Sequence, residues 1–234
     1  MRPLEIVLTS VLGVIVIAII IYIIYIVYYK KFKYTKIHDF KILNKYAPNN
    51  PIVFLGDSLT DFFPLNEYFH NGIICNRGIA GDTSIDILNR LDDVTCLNPS
   101  ILFLQIGIND VIYNKNLNFK DLIDKIDKII NSFDSHTKKY IISLYPINKK
   151  DFTSSKVVCR NANNNKVIEI NKLLKNYCND KGIEFIDIYP FLVNDKGNLK
   201  PEYSVEGLHI NSLVYTIIYN QLISYIKAYN ENKE

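Results

Sequence analysis

The sequence has little net charge, which argues against a nucleic acid as its partner. Its 27 basic and 24 acidic residues leave a formal charge of +3. Four of the lysines cluster between residues 30 and 36, so the remainder of the chain is close to neutral. A nucleic-acid-binding domain would instead present a basic patch or stripe. Internal repeats and low-complexity tracts are also missing from the sequence.

Cysteine is scarce as well, and its spacing argues against a zinc site. The four cysteines, Cys75, Cys96, Cys159 and Cys178, form no C-x-x-C pair and have no histidine nearby. Zinc sites in sequences are recognised by such closely spaced ligand pairs. Three of the four cysteines fall in apolar patterns, which favours small buried side chains. We therefore predict no metal site.

Charged residues are absent between residues 6 and 29, and this absence predicts a membrane-spanning helix. At about 1.5 Å per residue, a helix of that length exceeds the ~30 Å hydrocarbon core of a bilayer. A cleaved signal peptide would have a shorter apolar core and small residues at its cleavage site. The order Tyr28-Tyr29-Lys30-Lys31 is typical of a helix leaving the bilayer. We predict an anchor over residues 1–29, with a buried soluble helix as the alternative.

The residues that follow the anchor bear on its orientation. The lysines at residues 30–36 outweigh Arg2 and the terminal amine, which favours a single-pass protein whose large domain faces the cytoplasm. The cysteines look like free thiols, which agrees with a cytoplasmic location of the domain. A domain exported behind an uncleaved anchor is the other arrangement. Residues 30–49 predict a basic, polar stalk that ends at the Asn49-Asn50-Pro51 break.

Beyond the stalk, strand-like and helix-like stretches alternate. Apolar runs predict strands at residues 51–55, 73–75, 101–106, 140–144 and 183–188. Helical spacing of apolar residues predicts helices at residues 84–94, 119–133, 166–178 and 211–229. Such alternation implies parallel strands with crossover helices on both faces. We predict a five-stranded, three-layer α/β/α domain over residues 50–230, with the polar stretch 148–165 as a loop near its site.

A serine follows the first predicted strand, in the sequence Gly56-Asp57-Ser58-Leu59-Thr60. In an open α/β sheet, ligands bind beyond the carboxyl ends of the strands. Ser58 is therefore placed for chemistry more than for packing. A serine becomes a useful nucleophile only when a base takes its proton and hydrogen-bond donors meet the oxyanion.

Two further motifs after predicted strands offer such donors. Gly81 lies in the stretch 76–83, where two glycines let the backbone approach a ligand and a helix then begins. Asn109 follows the third strand, and its amide is a neutral donor that can reach an oxyanion. Taken alone, the first motif is better explained as a helix-capping turn and the second as a turn-forming Asn-Asp pair.

A candidate base lies before the last predicted helix. Of the four histidines, only His209 lies beside a carboxylate, Glu206, at a spacing that lets the carboxylate hold the imidazole tautomer. His209 by itself is also explained as a surface residue near a helix start. The order of the four motifs, each at the end of its element, is a stronger indication than any one of them.

This ordered set resembles the GDSL-type or SGNH hydrolase superfamily. The set consists of Gly56-Asp57-Ser58-Leu59, Gly81 within Gly78 to Thr83, Gly107-Ile108-Asn109-Asp110, and His209. The resemblance covers about residues 50–228, and the stretch 76–83 is most similar to the branch of platelet-activating-factor acetylhydrolases and bacterial lysophospholipase-like esterases. It implies a flavodoxin-like fold with strand order 2-1-3-4-5. It also implies hydrolysis of esters or thioesters through an acyl-serine, without a metal or organic cofactor.

The resemblance also implies roles for individual residues. Ser58 would be the nucleophile and His209 the general base and acid. The backbone N–H groups of Ser58 and Gly81, with the Asn109 side chain, would form the oxyanion hole. Where the family usually has aspartate three residues before the histidine, this chain has Glu206. We expect Glu206 to fold back and orient His209; otherwise a backbone carbonyl would orient the ring and leave a Ser-His dyad.

The leading hypothesis is a membrane-anchored serine esterase acting on a small acyl ester, such as a lysophospholipid, an acetylated sugar or an acyl thioester. Asp57 and Asp110 are expected to brace the loops around the site rather than to take part in the chemistry. One alternative is O-acetyl transfer to or from a glycan at the same site. The other is a catalytically idle, membrane-tethered binding module, against which the intact motif residues argue.

Overall fold

The computed structural model describes residues 3–70, 73–151 and 158–231, in two units, Met1–Leu43 and Asn44–Glu234. The first unit is one helix, α1 (Pro3–Leu43). Its most apolar part has a mean hydropathy of 3.0 and is not buried, so by length and composition it can cross a membrane. The helix continues through residues 30–43 of the predicted stalk, because that stretch contains neither proline nor glycine.

The second unit is built on a five-stranded parallel sheet. Its strands are β1 (Ile52–Gly56), β2 (Ile74–Gly78), β3 (Ile101–Gln105), β4 (Lys138–Ile142) and β5 (Glu184–Ile186). Their order across the sheet is β2-β1-β3-β4-β5, and every neighbouring pair is parallel. The predicted α/β class, strand number and strand order are confirmed. β1 and β3 are buried along their whole length, as continuous apolar runs in a central parallel strand should be.

Helices connect the strands. They are α2 (Ser58–Asp61), α3 (Leu65–Tyr68), α4 (Ser84–Asn89), α5 (Asp92–Thr95), α6 (Ile108–Tyr113), α7 (Phe119–Asn131), α8 (Asn164–Lys181), α9 (Tyr189–Leu192) and α10 (Ser212–Glu231). Single 3-10 turns occur at Asn44–Tyr46, Val158–Asn161 and Pro201–Tyr203. The single helix predicted over residues 84–94 is wrong: the chain leaves the helical conformation at Arg90, whose side chain turns inward and is buried.

Two helical layers enclose the sheet. α7 contacts both α4 and α8, and these three helices form one layer. On the other side, adjacent rings of Phe54, Phe103 and Tyr140 from three neighbouring strands pack at centroid distances of 4.9 and 5.1 Å. Tyr225 of α10 covers this row at 4.9 Å. Aromatic side chains bury large apolar areas, so this row fixes α10 against the sheet.

The segment after β4 differs from the prediction. The strand was expected to reach Leu144, but it ends at Ile142. The side-chain amide of Asn171 on α8 replaces a neighbouring strand there, since it accepts from the N–H of Leu144 at 2.8 Å and donates to its carbonyl at 2.9 Å. Within the predicted polar loop 148–165, residues 152–157 lie outside the described residues.

Candidate active site

Ser58 lies where β1 turns into α2. Asp57 caps this short helix, because its Oδ1 accepts the N–H of Leu59 at 3.0 Å. The close approach of α2 to β2 requires a glycine at position 78, since a Cβ atom there would collide with the backbone of Asp61. Ser58 is therefore held at the carboxyl end of the central part of the sheet.

His209 meets Ser58 across a sequence separation of 151 residues. Its Nε2 atom lies 2.9 Å from Oγ of Ser58, and its Nδ1 atom lies 2.7 Å from Oε1 of Glu206. A turn closed by the antiparallel bridge between Ser204 and Ile210 carries both residues. Because a carboxylate only accepts, we assign the ring proton to Nδ1, which leaves the Nε2 lone pair facing the serine hydroxyl.

The carboxylate of Glu206 is held ionised by its contacts with His209. It accepts the backbone N–H of His209 at 3.2 Å in addition to the ring N–H. Burial by itself raises the pKa of Glu206, but these hydrogen bonds and the nearby imidazole outweigh burial and bring the pKa below its usual value. The longer glutamate side chain therefore reaches the imidazole nitrogen that an orienting carboxylate has to bind.

Two of the three predicted oxyanion donors, Gly81 and Asn109, lie on either side of β1, after β2 and β3. Asn109 is in the first turn of α6 and is 4% exposed. Its Nδ2 donates to the carbonyl of Asp82 at 2.9 Å, next to Gly81. Gly81 has φ +78°, a conformation that favours glycine. Since an amide nitrogen carries two hydrogens, Asn109 keeps a second N–H for a ligand.

Asp57 and Asp110 are both buried, and each binds a helix start. Asp110 accepts from the backbone N–H of Ser84 at 2.9 Å and from its hydroxyl at 2.5 Å. Burial raises the pKa of Asp110 despite these bonds. Burial also raises the pKa of Asp57 to about 7, against the lowering effect of its bond from Leu59. Among the described residues, Oδ2 of Asp57 has no hydrogen-bond partner.

The sequence patterns do not indicate the places of Phe62 and Arg90 near the site, nor the buried ion pair that Asp82 forms. The Phe62 ring lies 5.3 Å from the His209 ring and is 53% exposed. Arg90 forms an ion pair with Asp82 at 2.7 Å, and both side chains are buried. Apolar periodicity contains no signal for Arg90, because an arginine between apolar helix positions is expected to face water. The aromatic pair directly after the serine motif was the available signal for Phe62.

Metal ligands do not cluster at this site. In the parts of the chain that the structure describes, no group of three or more histidine, cysteine or carboxylate side chains could hold a metal ion. The carboxylates of Asp57 and Asp110 bind helix N–H groups instead.

Comparison with known proteins relates the chain to lipases and acylhydrolases. A sequence model of the GDSL-like lipase/acylhydrolase family matches residues 54–217. A structure from Streptococcus pneumonia described under the name platelet activating factor has a TM-score of 0.75 and 25% identity, over 85% of this chain and 94% of that one. A GDSL-like lipase from Bacteroides thetaiotaomicron has a TM-score of 0.66 and 20% identity, over 82% and 97%. A catalytic mutant of an acetylxylan esterase from Geobacillus stearothermophilus shares the fold, with a TM-score of 0.58 and 16% identity over 76% and 94%.

The chain is also similar to part of some longer proteins. It is 25% identical over 190 residues to an N-acylneuraminate cytidylyltransferase from Escherichia coli, which covers 79% of this chain and 42% of that protein. A namesake from Streptococcus agalactiae is 28% identical over 171 residues, which covers 72% of this chain and 37% of that protein. The chain therefore spans less than half the length of these relatives.

Proposed function

Because the chain belongs to the GDSL-like lipase/acylhydrolase family, we propose that it is a membrane-anchored serine esterase that cleaves acyl esters through an acyl-serine. One observation carries the proposal. Oγ of Ser58, the imidazole of His209 and the carboxylate of Glu206 form a continuous hydrogen-bonded row, with distances of 2.9 and 2.7 Å. In such a row the imidazole accepts the serine proton, and the carboxylate stabilises the imidazolium that results.

The first half of the reaction forms the acyl-enzyme. Oγ of Ser58 attacks the ester carbonyl carbon while Nε2 of His209 takes its proton. The carbonyl oxygen becomes an oxyanion, which accepts from the N–H groups of Ser58 and Gly81 and from the free N–H of the Asn109 amide. The C–O bond then breaks, and His209 gives its proton to the departing alcohol.

The second half releases the acid. A water molecule attacks the acyl carbon, and His209 takes one proton from that water. The same donors bind the second oxyanion. When the bond between the acyl carbon and Oγ breaks, His209 returns the proton to Ser58. Glu206 stays ionised throughout, because its role is to hold the ring and to stabilise its positive charge.

The anchor part of the proposal rests on α1, which is long and apolar enough to span a bilayer. An enzyme fixed in a membrane stays close to lipid esters, which favours a lysophospholipid-type substrate. Acetylated sugars are the second ester class to test, because an acetylxylan esterase shares the fold, and a shared fold hosts several substrates.

Activity of the full chain in detergent tests the serine mechanism. We expect turnover of p-nitrophenyl acetate and labelling of Ser58 by a fluorophosphonate probe. Ser58→Ala should lower kcat by at least about 10⁴-fold, whereas Ser224→Ala, at an exposed serine of α10, should leave it unchanged. Undiminished turnover in Ser58→Ala would end the esterase proposal. Absence of both turnover and labelling would favour the idle binding module.

A substrate panel separates the ester classes. The panel contains p-nitrophenyl esters of increasing acyl length, a lysophospholipid in mixed micelles, and an acetylated xyloside. Release of free fatty acid from the lysophospholipid at the highest kcat/KM would support the lipid assignment. Acetate appearing on an added sugar acceptor, rather than in solution, would identify O-acetyl transfer instead.

A further inference from the structure

The side chain of Arg90 is buried at the ends of two strands. It is 4% exposed and lies at the residue where α4 ends. Its Nη2 donates to the carbonyl of Arg77 at 2.9 Å and, at 3.4 Å, to the carbonyl of Gly56. Arg77 is the second-last residue of β2 and Gly56 is the last residue of β1. The segments that carry Gly81 and Ser58 follow these strand ends. One guanidinium is thus bonded to both strands from which the site is built.

The remaining contact of Arg90 leads to Asp82. Nε donates to Oδ2 of Asp82 at 2.7 Å, and Asp82 is 1% exposed. The main-chain carbonyl of the same aspartate accepts from Nδ2 of Asn109 at 2.9 Å. Asp82 therefore links Arg90 to Asn109. Its carboxylate is held by Arg90, and its main-chain carbonyl holds the Asn109 amide.

We propose that Arg90 is a positioning residue that acts through Asp82 to hold the Asn109 amide in the direction that the oxyanion requires. The inference rests on the proposed esterase function. One N–H of Asn109 is spent on the Asp82 carbonyl, so the direction of the other is set by where that carbonyl lies. Moving the carbonyl rotates the donor away from the developing charge.

Arginine is suited to this position for a geometric reason. Its planar fork donates in several fixed directions, so one side chain binds a carboxylate and two carbonyls at once. A lysine would retain the charge beside Asp82, but its single ammonium group cannot reproduce the fork. A displacement near 1 Å in a catalytic group lowers the rate by about 10²-fold.

The test is a double-variant cycle on the full chain in detergent, with p-nitrophenyl acetate as substrate. Arg90→Lys should lower kcat by about 10- to 100-fold with KM changed less than about threefold, because only transition-state binding is affected. In the Asn109→Ala background the same substitution should cost less than about threefold more, since the group it positions is gone. Losses that multiply in full would overturn the inference.

A matched control separates positioning from general damage to a buried arginine. Arg77 is also buried, and its guanidinium bonds Asn44 at 2.7 and 3.2 Å and the Asn76 carbonyl at 2.8 Å. Arg77→Lys changes only this side chain and retains the main-chain carbonyl that Arg90 binds. Arg77→Lys should therefore keep kcat within about twofold, whatever it does to the melting temperature. An equal loss of kcat in both lysine variants would overturn the inference.

A second variant and a labelling control complete the design. If Arg90→Lys does not fold, Asp82→Asn takes its place in the cycle, because it breaks the same ion pair from the aspartate side. Its loss of kcat should also vanish in the Asn109→Ala background. Fluorophosphonate labelling of Ser58 in the unmodified chain tests the esterase itself. If the unmodified chain labels and turns over while Arg90→Lys keeps full kcat, the positioning inference fails and the esterase proposal stands.

Discussion

Glu206 binds His209 twice through one carboxylate oxygen, at 2.7 Å from the ring Nδ1 and at 3.2 Å from the backbone nitrogen. The first bond selects the ring tautomer, and the second fixes the backbone from which the ring extends. A glutamate achieves this because the turn between Ser204 and Ile210 brings residue 206 beside residue 209.

The first prediction concerns the charge of Glu206. Glu206→Gln keeps the length of the side chain but removes the negative charge that stabilises the imidazolium. We expect kcat to fall by about 10²–10⁴-fold with KM little changed. Glu202→Gln, at an exposed glutamate in the same region, should have no effect on kcat. A loss smaller than about threefold in Glu206→Gln would point to another group as the orienter.

Sequence patterns identified the candidate residues near the ends of predicted elements better than the buried polar residues that bond to other elements. Ser58 and Asn109 could be proposed because each lies shortly after a predicted strand, where α/β folds bind ligands. Glu206 could be proposed because it is the carboxylate three residues before His209. The structure brings Ser58 and Glu206 into contact with His209, and it bonds Asn109 to the carbonyl of Asp82, next to Gly81. Their catalytic roles remain predictions until they are measured.

Arg90 shows what a periodic pattern cannot reveal. Apolar spacing over residues 84–94 fits one amphipathic helix, and nothing in that spacing indicates a break. The break depends on tertiary partners, the Asp82 carboxylate and two strand-end carbonyls, which exist only once the sheet has formed. The early end of β4 has the same kind of cause, since Asn171 comes from a helix later in the chain.

The second prediction concerns Phe62, which offers an exposed ring beside the general base. Its ring lies 5.3 Å from the His209 ring and is 53% exposed. An acyl chain entering at Ser58 would cover this ring and gain hydrophobic free energy of about 0.8 kcal/mol per buried CH₂. For Phe62→Ala we expect kcat/KM to fall about tenfold for p-nitrophenyl octanoate and much less for the acetate.

The control for this substitution is Phe191→Ala. Phe191 lies on α9 and is 44% exposed, so it tests the loss of a surface phenylalanine in general. The ratio of kcat/KM between octanoate and acetate should be unchanged in Phe191→Ala. An equal fall for both esters in Phe62→Ala would show that the ring supports His209 instead of binding the acyl chain.

The third prediction concerns the pH dependence of stability and follows from the burial of Asp57. Burial raises the pKa of this carboxyl from 3.8 to about 7 in the folded chain. Between these values the folded state holds a proton that the unfolded state has lost, so the free energy of unfolding falls as pH rises. The contribution is fully present below the unfolded pKa and is lost by the time pH passes the folded pKa. Asp82 and Asp110 add to the shift, and His209 opposes it.

Asp57→Asn isolates that contribution, because asparagine keeps an oxygen for the N–H of Leu59 but does not titrate. The difference in the free energy of unfolding between Asp57→Asn and the unmodified chain should grow in favour of the variant from about pH 4 to pH 7. The slope is at most about 1.4 kcal/mol per pH unit, the value for one proton.

Chemical denaturation of the full chain in detergent at several pH values measures this slope. Asp124→Asn, at an exposed aspartate of α7, should run parallel to the unmodified chain. A parallel curve for Asp57→Asn as well would mean that Asp57 is ionised in the folded protein across this range, with its charge offset by groups around the nucleophile.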